Sequence, residues 1–182
     1  LLSVGCMFAE NHWQTHFSYN SVQQIAMDKN EVYALANGKM FSVNQKTEHL
    51  TLFTNFSGLH GTEIVQLAYD DVSEQLLIFY SDGKLDILHN KKVKYVADLY
   101  NKQITSSKRC NNVTFKGNMA YLSMDFGILT FDIEEYKFVD AYYIAPEAKE
   151  VKVTDVMFCG DSIYAKTPEV VYVAHTEDNI VD

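Results

Sequence analysis

Cysteine and proline are scarce in this chain of 182 residues, which contains three cysteines and two prolines. Cys6, Cys110 and Cys159 are too few and too scattered for a disulfide-stapled scaffold or a zinc site of paired C-x-x-C motifs. We therefore expect them to be free thiols that are buried in the fold. No stretch approaches the roughly 20 consecutive apolar residues of a membrane span, so no transmembrane segment is predicted.

Basic residues are also in short supply, with 15 Lys and Arg against 24 Asp and Glu and a net charge of −9. This balance argues against a partner that is nucleic acid or an anionic membrane surface. Hydrophobic residues nevertheless make up 47% of the chain and aromatic residues 13%. A chain with this composition can bury a core, and a disordered protein is excluded.

Recognised catalytic and cofactor motifs are missing as well. There is no G-x-S-x-G nucleophile elbow, no P-loop and no dinucleotide fingerprint. Asp125-Phe126-Gly127 matches the magnesium-binding motif of protein kinases, but the other kinase segments are absent, so we interpret it as a turn between strands. No enzymatic activity, no cofactor and no metal site are predicted.

What the chain does contain is a fourfold repeat of short apolar segments. Ile25, Leu67, Val113 and Val156 occupy equivalent positions, at intervals of 42, 46 and 43 residues. Each segment is followed by a polar turn and a second apolar run. A period of about 40–50 residues built from short strands is typical of β-propeller blades, which bury their faces against neighbouring blades.

We predict an all-β fold, a partial propeller of about four blades with four antiparallel strands each and no helix. The blades are expected at about 21–56, 62–100, 111–145 and 153–182, the last without its outer strand. Because propellers close with about 4–8 blades, the ring is expected to be incomplete, with seven blades in the full protein.

Turn residues and apolar runs support this division into strands. Asn37-Gly38 and Asp82-Gly83 predict hairpin turns between the second and third strands of the first two blades. Pro168-Glu169 stands at the same point of the fourth blade. The nearly continuous apolar character of the first two strands in each blade predicts that both of their faces are covered.

The first nine residues are apolar and uncharged, which resembles the end of a signal peptide. We therefore expect residues 1–9 to be a residual signal peptide and residues 10–182 to form the partial propeller. Two alternatives stay open: Cys6 as a lipoprotein anchor, and an ordinary first strand. Export from the cytoplasm follows from the signal-peptide interpretation.

One segment is basic in this acidic chain. The sequence between positions 91 and 109 contains six basic side chains and one acidic side chain, Asp98. Two interpretations are open, a strip that contacts a polyanion or an acidic partner, and an edge strand with a loop that carry lysine for solubility. The candidate strip consists of Lys91, Lys92, Lys94, Lys102, Lys108 and Arg109.

Several motifs resemble one propeller family in their order along the chain. Trp13 with His16 opens the series, and segments 80–87 and 120–127 are its most distinctive later members. Together they resemble the N-terminal β-propeller of PorZ-like proteins of the type IX secretion system. The propeller repeats of two-component regulators share a looser form of the pattern.

The resemblance implies a non-enzymatic scaffold at the outer-membrane cell surface. Its partners would be other proteins of the secretion and attachment complex, which delivers anionic lipopolysaccharide to the sortase, with that lipid bound by domains not present here. The alternative is a periplasmic ligand-sensing propeller of a hybrid two-component regulator. A third hypothesis, a propeller hydrolase or lyase, would need facing acids or a metal constellation, and the sequence shows neither.

Overall fold

The computed structural model describes residues 21–176. Within this range the chain forms a series of short β-strands and one helical turn, α1 (Asp98–Asn101). The strands are β1 (Val22–Met27), β2 (Glu31–Ala36), β3 (Lys39–Asn44), β4 (Leu50–Phe53), β5 (Ile64–Asp70), β6 (Gln75–Tyr80), β7 (Leu85–His89), β8 (Lys92–Val96), β9 (Cys110–Lys116), β10 (Met119–Met124), β11 (Gly127–Asp132), β12 (Lys137–Tyr142), β13 (Asp155–Cys159), β14 (Ser162–Lys166) and β15 (Val171–His175).

The strands form four separate antiparallel sheets, in which each strand pairs with the next one along the chain. Blade 1 is β1–β4, blade 2 is β5–β8, blade 3 is β9–β12 and blade 4 is β13–β15. The predicted all-β propeller architecture is confirmed. The absence of helix was wrong in detail, because α1 and two 3-10 turns, Asn55–Ser57 and Pro146–Ala148, lie in the connections between blades.

The first strand of each blade lies next to the first strand of the following blade, so these strands line the central axis. Because successive strands of a blade are antiparallel, two kinds of loop lie at the same end of the blades. We call this end the upper face. The two kinds of loop are the connections between blades and the turns between second and third strands. Backbone bonds on this face join successive blades, from Ile64 N to Gly38 O at 3.0 Å and from Val153 N to Met124 O at 2.9 Å.

The hydrophobic cores lie between the blades. Strand β6 is buried along its whole length, as its apolar run predicted. Burying such side chains stabilises the fold by roughly 1.5–3 kcal/mol each. The clusters contain Tyr33, Leu35, Met40, Leu67 and Ile78 between blades 1 and 2, Leu77, Ile87, Leu122 and Phe131 between blades 2 and 3, and Ile128, Val156 and Ile163 between blades 3 and 4.

The first strand of blade 1 departs from the expectation that both faces are covered. Ile25 and Met27 of β1 are 62% and 61% exposed. On blade 4, Met157 and Val173 are exposed in the same way on the face turned away from blade 3. These outer faces are exposed because no other sheet within residues 21–176 packs against them, whereas the predicted coverage depends on a neighbouring blade.

The hairpin turns differ in a way that the dipeptides did not predict. Asn37 and Gly38 both have positive φ, 51° and 72°, which is the type I′ geometry that Asn-Gly favours. Asp82-Gly83 instead belongs to a longer turn. There only Gly83 has positive φ, and its N–H donates to Tyr80 O at 3.1 Å.

The two cysteines in the described range are both free thiols. Cys110 is buried, and burial raises the pKa of its thiol. Cys159 is exposed at the end of β13, so the expectation of burial was wrong for this residue. Cys6, Trp13, His16 and the expected signal peptide lie outside the described residues, and the signal peptide stays a prediction.

The Asp125-Phe126-Gly127 segment is a tight turn between β10 and β11, in agreement with the structural interpretation of the kinase-like motif. Phe126 is buried rather than exposed to a ligand. Gly127 has a φ of 147°, and a Cβ atom at this position would overlap the carbonyl oxygen of Tyr142 on β12. Glycine is therefore required both by backbone conformation and by the close approach of β12.

We expect Gly127→Ala to lower the free energy of unfolding by roughly 3 kcal/mol, because a backbone atom must move to admit the methyl group. Gly117→Ala is the matched control, since Gly117 also has positive φ but nothing lies within 4 Å of its added Cβ. It should cost only about 1 kcal/mol. Urea denaturation of the full-length protein measures both, and equal losses would contradict this account.

Candidate functional site

A cleft of about 470 Å³ opens on the upper face, where the first strands of blades 1 to 3 begin. Its volume is in the range of small-molecule sites, roughly 300–1,000 Å³. The lining is mainly polar, so the cleft suits a polar ligand or the tip of a partner's loop. The polar lining residues are Gln23, Gln24, Asn37, Glu63, Gln66 and Arg109.

A row of polar side chains crosses the blades below this cleft. Each blade contributes one residue, which directly precedes the apolar position used to align the repeats. Gln66 Nε2 lies 3.5 Å from Asn112 Oδ1, and Asn112 Nδ2 donates to Asp155 Oδ1 at 2.6 Å. The row consists of Gln24, Gln66, Asn112 and Asp155.

The row satisfies strand edges that have no partner strand. The inner edge of each first strand faces the axis, where its backbone groups are unpaired by any sheet. Gln24 Oε1 accepts a hydrogen bond from Leu67 N at 2.7 Å, and Thr114 Oγ1 donates to Val156 O at 2.5 Å. Polar side chains of one blade therefore cap the backbone of the next blade.

A repeated β-bulge accompanies this row. The pairing of the first strand with the second shifts register at Gln23, Val65 and Asn111 in blades 1 to 3. Bulges bend a strand and re-aim its side chains. Sequence reasoning missed the row, although a polar residue at the same position in all four repeats was the signal that could have found it.

Charged side chains lie around the central axis on the upper face, a position that we call the rim, three residues before the polar residue that each of blades 2 to 4 contributes to the row. Glu63, Arg109 and Lys152 occupy equivalent places in blades 2 to 4. Glu63 accepts from Ser81 Oγ at 2.9 Å, and Lys152 Nζ lies 3.5 Å from Asp125 Oδ1. The guanidinium of Arg109 makes no hydrogen bond or ion pair with the described residues, so it is available to an anionic group of a ligand.

The carboxyl of Asp125 is stabilised in its charged form at this rim. Burial opposes its ionisation, but hydrogen bonds from Asn111 and Ser107 and the charge of Lys152 outweigh that effect. Together they hold the pKa of Asp125 below its usual value. The rim therefore presents fixed charges of both signs.

The predicted basic strip is divided among three places. Lys91 lies in the turn before β8, Lys92 and Lys94 lie on β8, and these three are near the lower end of blade 2. Lys102 and Lys108 both follow α1 in the upper connection, at the other end of β8. Arg109 lines the central cleft.

Two of the six basic side chains are engaged within the fold. Lys94 Nζ lies 3.4 Å above the ring centre of Tyr136, a contact between blades 2 and 3. Lys108 Nζ donates to Tyr100 O at 2.7 Å. The six residues thus do not form one continuous strip, and binding of a polyanion by any of them stays a prediction.

A buried carboxylate fixes the connection between blades 1 and 2 on the upper face. Asp86 on β7 is fully buried and accepts three hydrogen bonds. His60 N donates to Oδ2 at 2.8 Å, His60 Nδ1 lies 2.8 Å from Oδ1 and therefore carries the proton, and Tyr80 donates from its hydroxyl to Oδ2 at 2.6 Å. The imidazole also stacks on Tyr95, with ring centres 4.4 Å apart.

This network is specific to blade 2. The position of Asp86 in the sheet is occupied by Phe41, Leu129 and Tyr172 in the other blades. Burial, together with the hydrogen bond to Asp86 and its charge, raises the pKa of the Tyr80 phenol, which stays protonated as the donor. A buried charge is stable only when its hydrogen bonds are complete, so the loop that supplies His60 is held firmly to the sheet.

The sequence matches the family of type IX secretion system PorZ N-terminal β-propeller domains over residues 32–182. The chain belongs to this family. No curated protein matches the chain.

Among solved structures, the PorZ-family propeller is similar to PorZ of Porphyromonas gingivalis, an essential bacterial surface component of the type IX secretion system. The two are 29% identical, the TM-score is 0.77, and the match covers 88% of this chain and 21% of that structure. The chain thus spans about a fifth of the length of that relative.

The propeller is also similar to two structures of the extracellular domain of BT4673 from B. thetaiotaomicron, which is described as a one-component or hybrid two-component system. Identity is 15% in both cases, and the TM-scores are 0.66 and 0.69. The matches cover 85% and 87% of this chain and 20% and 21% of those structures. At this identity the likeness shows the fold alone.

Among residues 21–176, no helix has the length and apolar character needed to cross a membrane. In the same range, no group of three or more His, Cys, Asp or Glu residues is arranged to hold a metal ion.

We expect Tyr80→Phe to lower the free energy of unfolding by roughly 1.5–3 kcal/mol, because a buried carboxylate loses a hydrogen bond. Tyr121→Phe is the control, since the Tyr121 ring packs on Phe158 and its hydroxyl has no hydrogen-bond partner among the described residues. It should change stability by less than about 0.5 kcal/mol. Chemical denaturation followed by circular dichroism compares the two, and similar losses would exclude the proposed role of Asp86.

Proposed function

We propose that this PorZ-family propeller is part of a non-enzymatic scaffold at the bacterial cell surface, in the attachment complex of the type IX secretion system. The observation that carries the proposal is the family match over residues 32–182 together with the shared fold of the P. gingivalis surface component. A surface location is part of this proposal, and the description of the P. gingivalis relative as a surface component supports it. The partners we propose are other proteins of that complex.

The upper face is the surface that we assign to recognition. Loops on a rigid scaffold carry most binding functions, and here the packed blades hold the loops in place. The cleft at the axis adds amide groups and the unpaired guanidinium of Arg109. These groups suit hydrogen bonding to polar or anionic groups of a partner.

We further propose that the protein takes part in delivering anionic lipopolysaccharide to the sortase. With a net charge of −9, the chain as a whole repels a polyanion, so contact must be local. Arg109 is the local candidate that we favour, because it is the member of the strip that lines the cleft, whereas Lys94 and Lys108 are engaged within the fold. The other domains of the longer protein would supply the main lipid contacts.

Deletion of the full-length gene in its own bacterium tests the secretion role. If the proposal is correct, secreted cargo proteins should leave the cell surface and appear in the medium, and a plasmid copy should restore attachment. Unchanged attachment, combined with altered transcription of one gene cluster, would contradict the proposal and support the periplasmic sensor of a hybrid two-component regulator.

Charge reversal tests the contribution of the cleft to lipopolysaccharide binding. We expect Arg109→Glu in the full-length protein to weaken binding of purified anionic lipopolysaccharide about tenfold, because one attractive contact becomes repulsive. Lys46→Glu is the control, because it makes the same charge change in the turn between β3 and β4 on the lower face. Biolayer interferometry at fixed salt compares them, and equal effects would contradict a role for the cleft.

The same binding assay tests the lower part of the basic strip that the sequence predicted. The combined variant Lys91→Glu, Lys92→Glu and Lys94→Glu should also weaken binding if these lysines contact the lipid. Unchanged binding with this variant would eliminate the lower part of the strip. The melting temperature of each variant must equal that of the wild type, because loss of the contact between Lys94 and Tyr136 could itself destabilise the packing of blades 2 and 3.

A further inference from the structure

Phe56 is a fully exposed aromatic side chain in the connection between blades 1 and 2. No side chain within residues 21–176 shields its ring from solvent. Most other exposed apolar residues, such as Ile25 and Met157, lie on flat faces of the outer sheets. Phe56 instead projects from the connection between blades 1 and 2, where no neighbouring blade would cover it.

The backbone around Phe56 is fixed on its N-terminal side by a reciprocal cap. Phe56 N donates to Thr54 Oγ1 at 3.2 Å, and Thr54 N donates to Ser57 Oγ at 2.7 Å. Gly58 then closes the turn with a φ of 95°. Such a cap stabilises a turn by about 1 kcal/mol and fixes the backbone that carries the intervening side chain.

The same connection is fixed on its C-terminal side by the buried carboxylate described above. Leu59 is buried, His60 bonds to Asp86 through its N–H and its ring, and Gly61 packs directly on the ring of Tyr80. Blade 2 departs from the repeat at Asp86 to hold this one loop. The loop is therefore rigid at both ends, and its one large apolar side chain in water is Phe56.

The segment that surrounds Phe56 carries no formal charge. Residues 50–62 contain no Asp, Glu, Lys or Arg, although these residues make up 21% of the chain. Depletion of charge around exposed aromatic residues is typical of the core of a protein–protein interface. A membrane-binding loop would instead place several apolar residues beside basic ones.

We infer that Phe56 is the central residue of a protein-docking site, and that its partner is a different protein with an apolar pocket of the size of a phenyl ring. An aromatic side chain with two rotatable torsions on an anchored loop binds with little loss of conformational entropy. A projecting ring does not complement itself, which argues against a second copy of this chain. The inference rests on the proposed role as an interaction module and names the contact that this role would use.

Photo-crosslinking in the native bacterium identifies the partner. The full-length protein is made with Phe56→benzoylphenylalanine, or with Val72→benzoylphenylalanine as the control. Val72 is also 87% exposed and lies in blade 2, but in the turn between β5 and β6 on the lower face. We expect position 56, and not position 72, to give one discrete adduct with another protein. Adducts only with lipid, or only with a second copy of the chain, would contradict the inference.

The affinity of the purified partner then decides the energetic role. Phe56→Ala should weaken binding at least tenfold, as expected for a hot-spot aromatic residue, and Val72→Ala should change it less than about twofold. Because the ring is fully exposed, Phe56→Ala should keep the wild-type melting temperature. If Phe56→Ala binds the partner with an affinity within twofold of the wild-type value, the inference is contradicted even if a crosslink forms.

The outcomes for Phe56 and for the secretion role can be separated. If Phe56→Ala leaves partner affinity unchanged while gene deletion releases cargo from the surface, the docking site is wrong and the secretion role stands. If gene deletion has no effect on cargo but the crosslink and the tenfold loss are found, the docking site stands in another assembly.

Discussion

The packing of one sheet against the next supports every other feature of this propeller. A single four-stranded sheet has two faces to cover, and β6 is buried on both because blades 1 and 3 lie on either side of it. The backbone bond from Ile64 N to Gly38 O fixes the spacing of adjacent blades at the upper face. Repeat proteins of this kind gain stability mainly from such neighbour contacts. The loops and the cleft on the upper face are held in place by this packing between blades.

The central axis has the opposite chemistry from the spaces between blades. Apolar side chains fill the gaps between sheets, whereas the first strands present unpaired backbone edges to the axis. Gln24, Gln66 and Asn112 follow a bulge in each first strand and satisfy part of that edge. The polar cleft above them is a consequence of this arrangement. In a PorZ-family propeller it gives the upper face a set of hydrogen-bonding groups that a purely apolar axis would lack.

The residues that we connect with recognition are those that differ from the equivalent residues of the other blades. Asp86 replaces an apolar residue found at the same sheet position in the other blades, and its bonds to His60 and Tyr80 fix one loop. Arg109 replaces no core residue, and its guanidinium lines the cleft at the central axis. A repeat on its own specifies a rigid framework, and side chains that break the repeat give each surface its own chemistry.

The sequence by itself determined the blades, because short apolar runs that recur about every 40–50 residues are buried by stacking one sheet against the next. The Asn37-Gly38 dipeptide likewise determined its own type I′ turn. It did not determine the candidate site. Lys91 and Arg109 are close in sequence, yet β8 and the connection after it carry them to different regions. Likewise, the position of a strand relative to its neighbouring blade decided that Cys159 is exposed. It also decided that the side chain of Gln24 accepts a hydrogen bond from the backbone of Leu67. The contacts of Gln24 with Leu67 and of Asn112 with Asp155 join residues more than 40 positions apart, and only the tertiary structure brings them together.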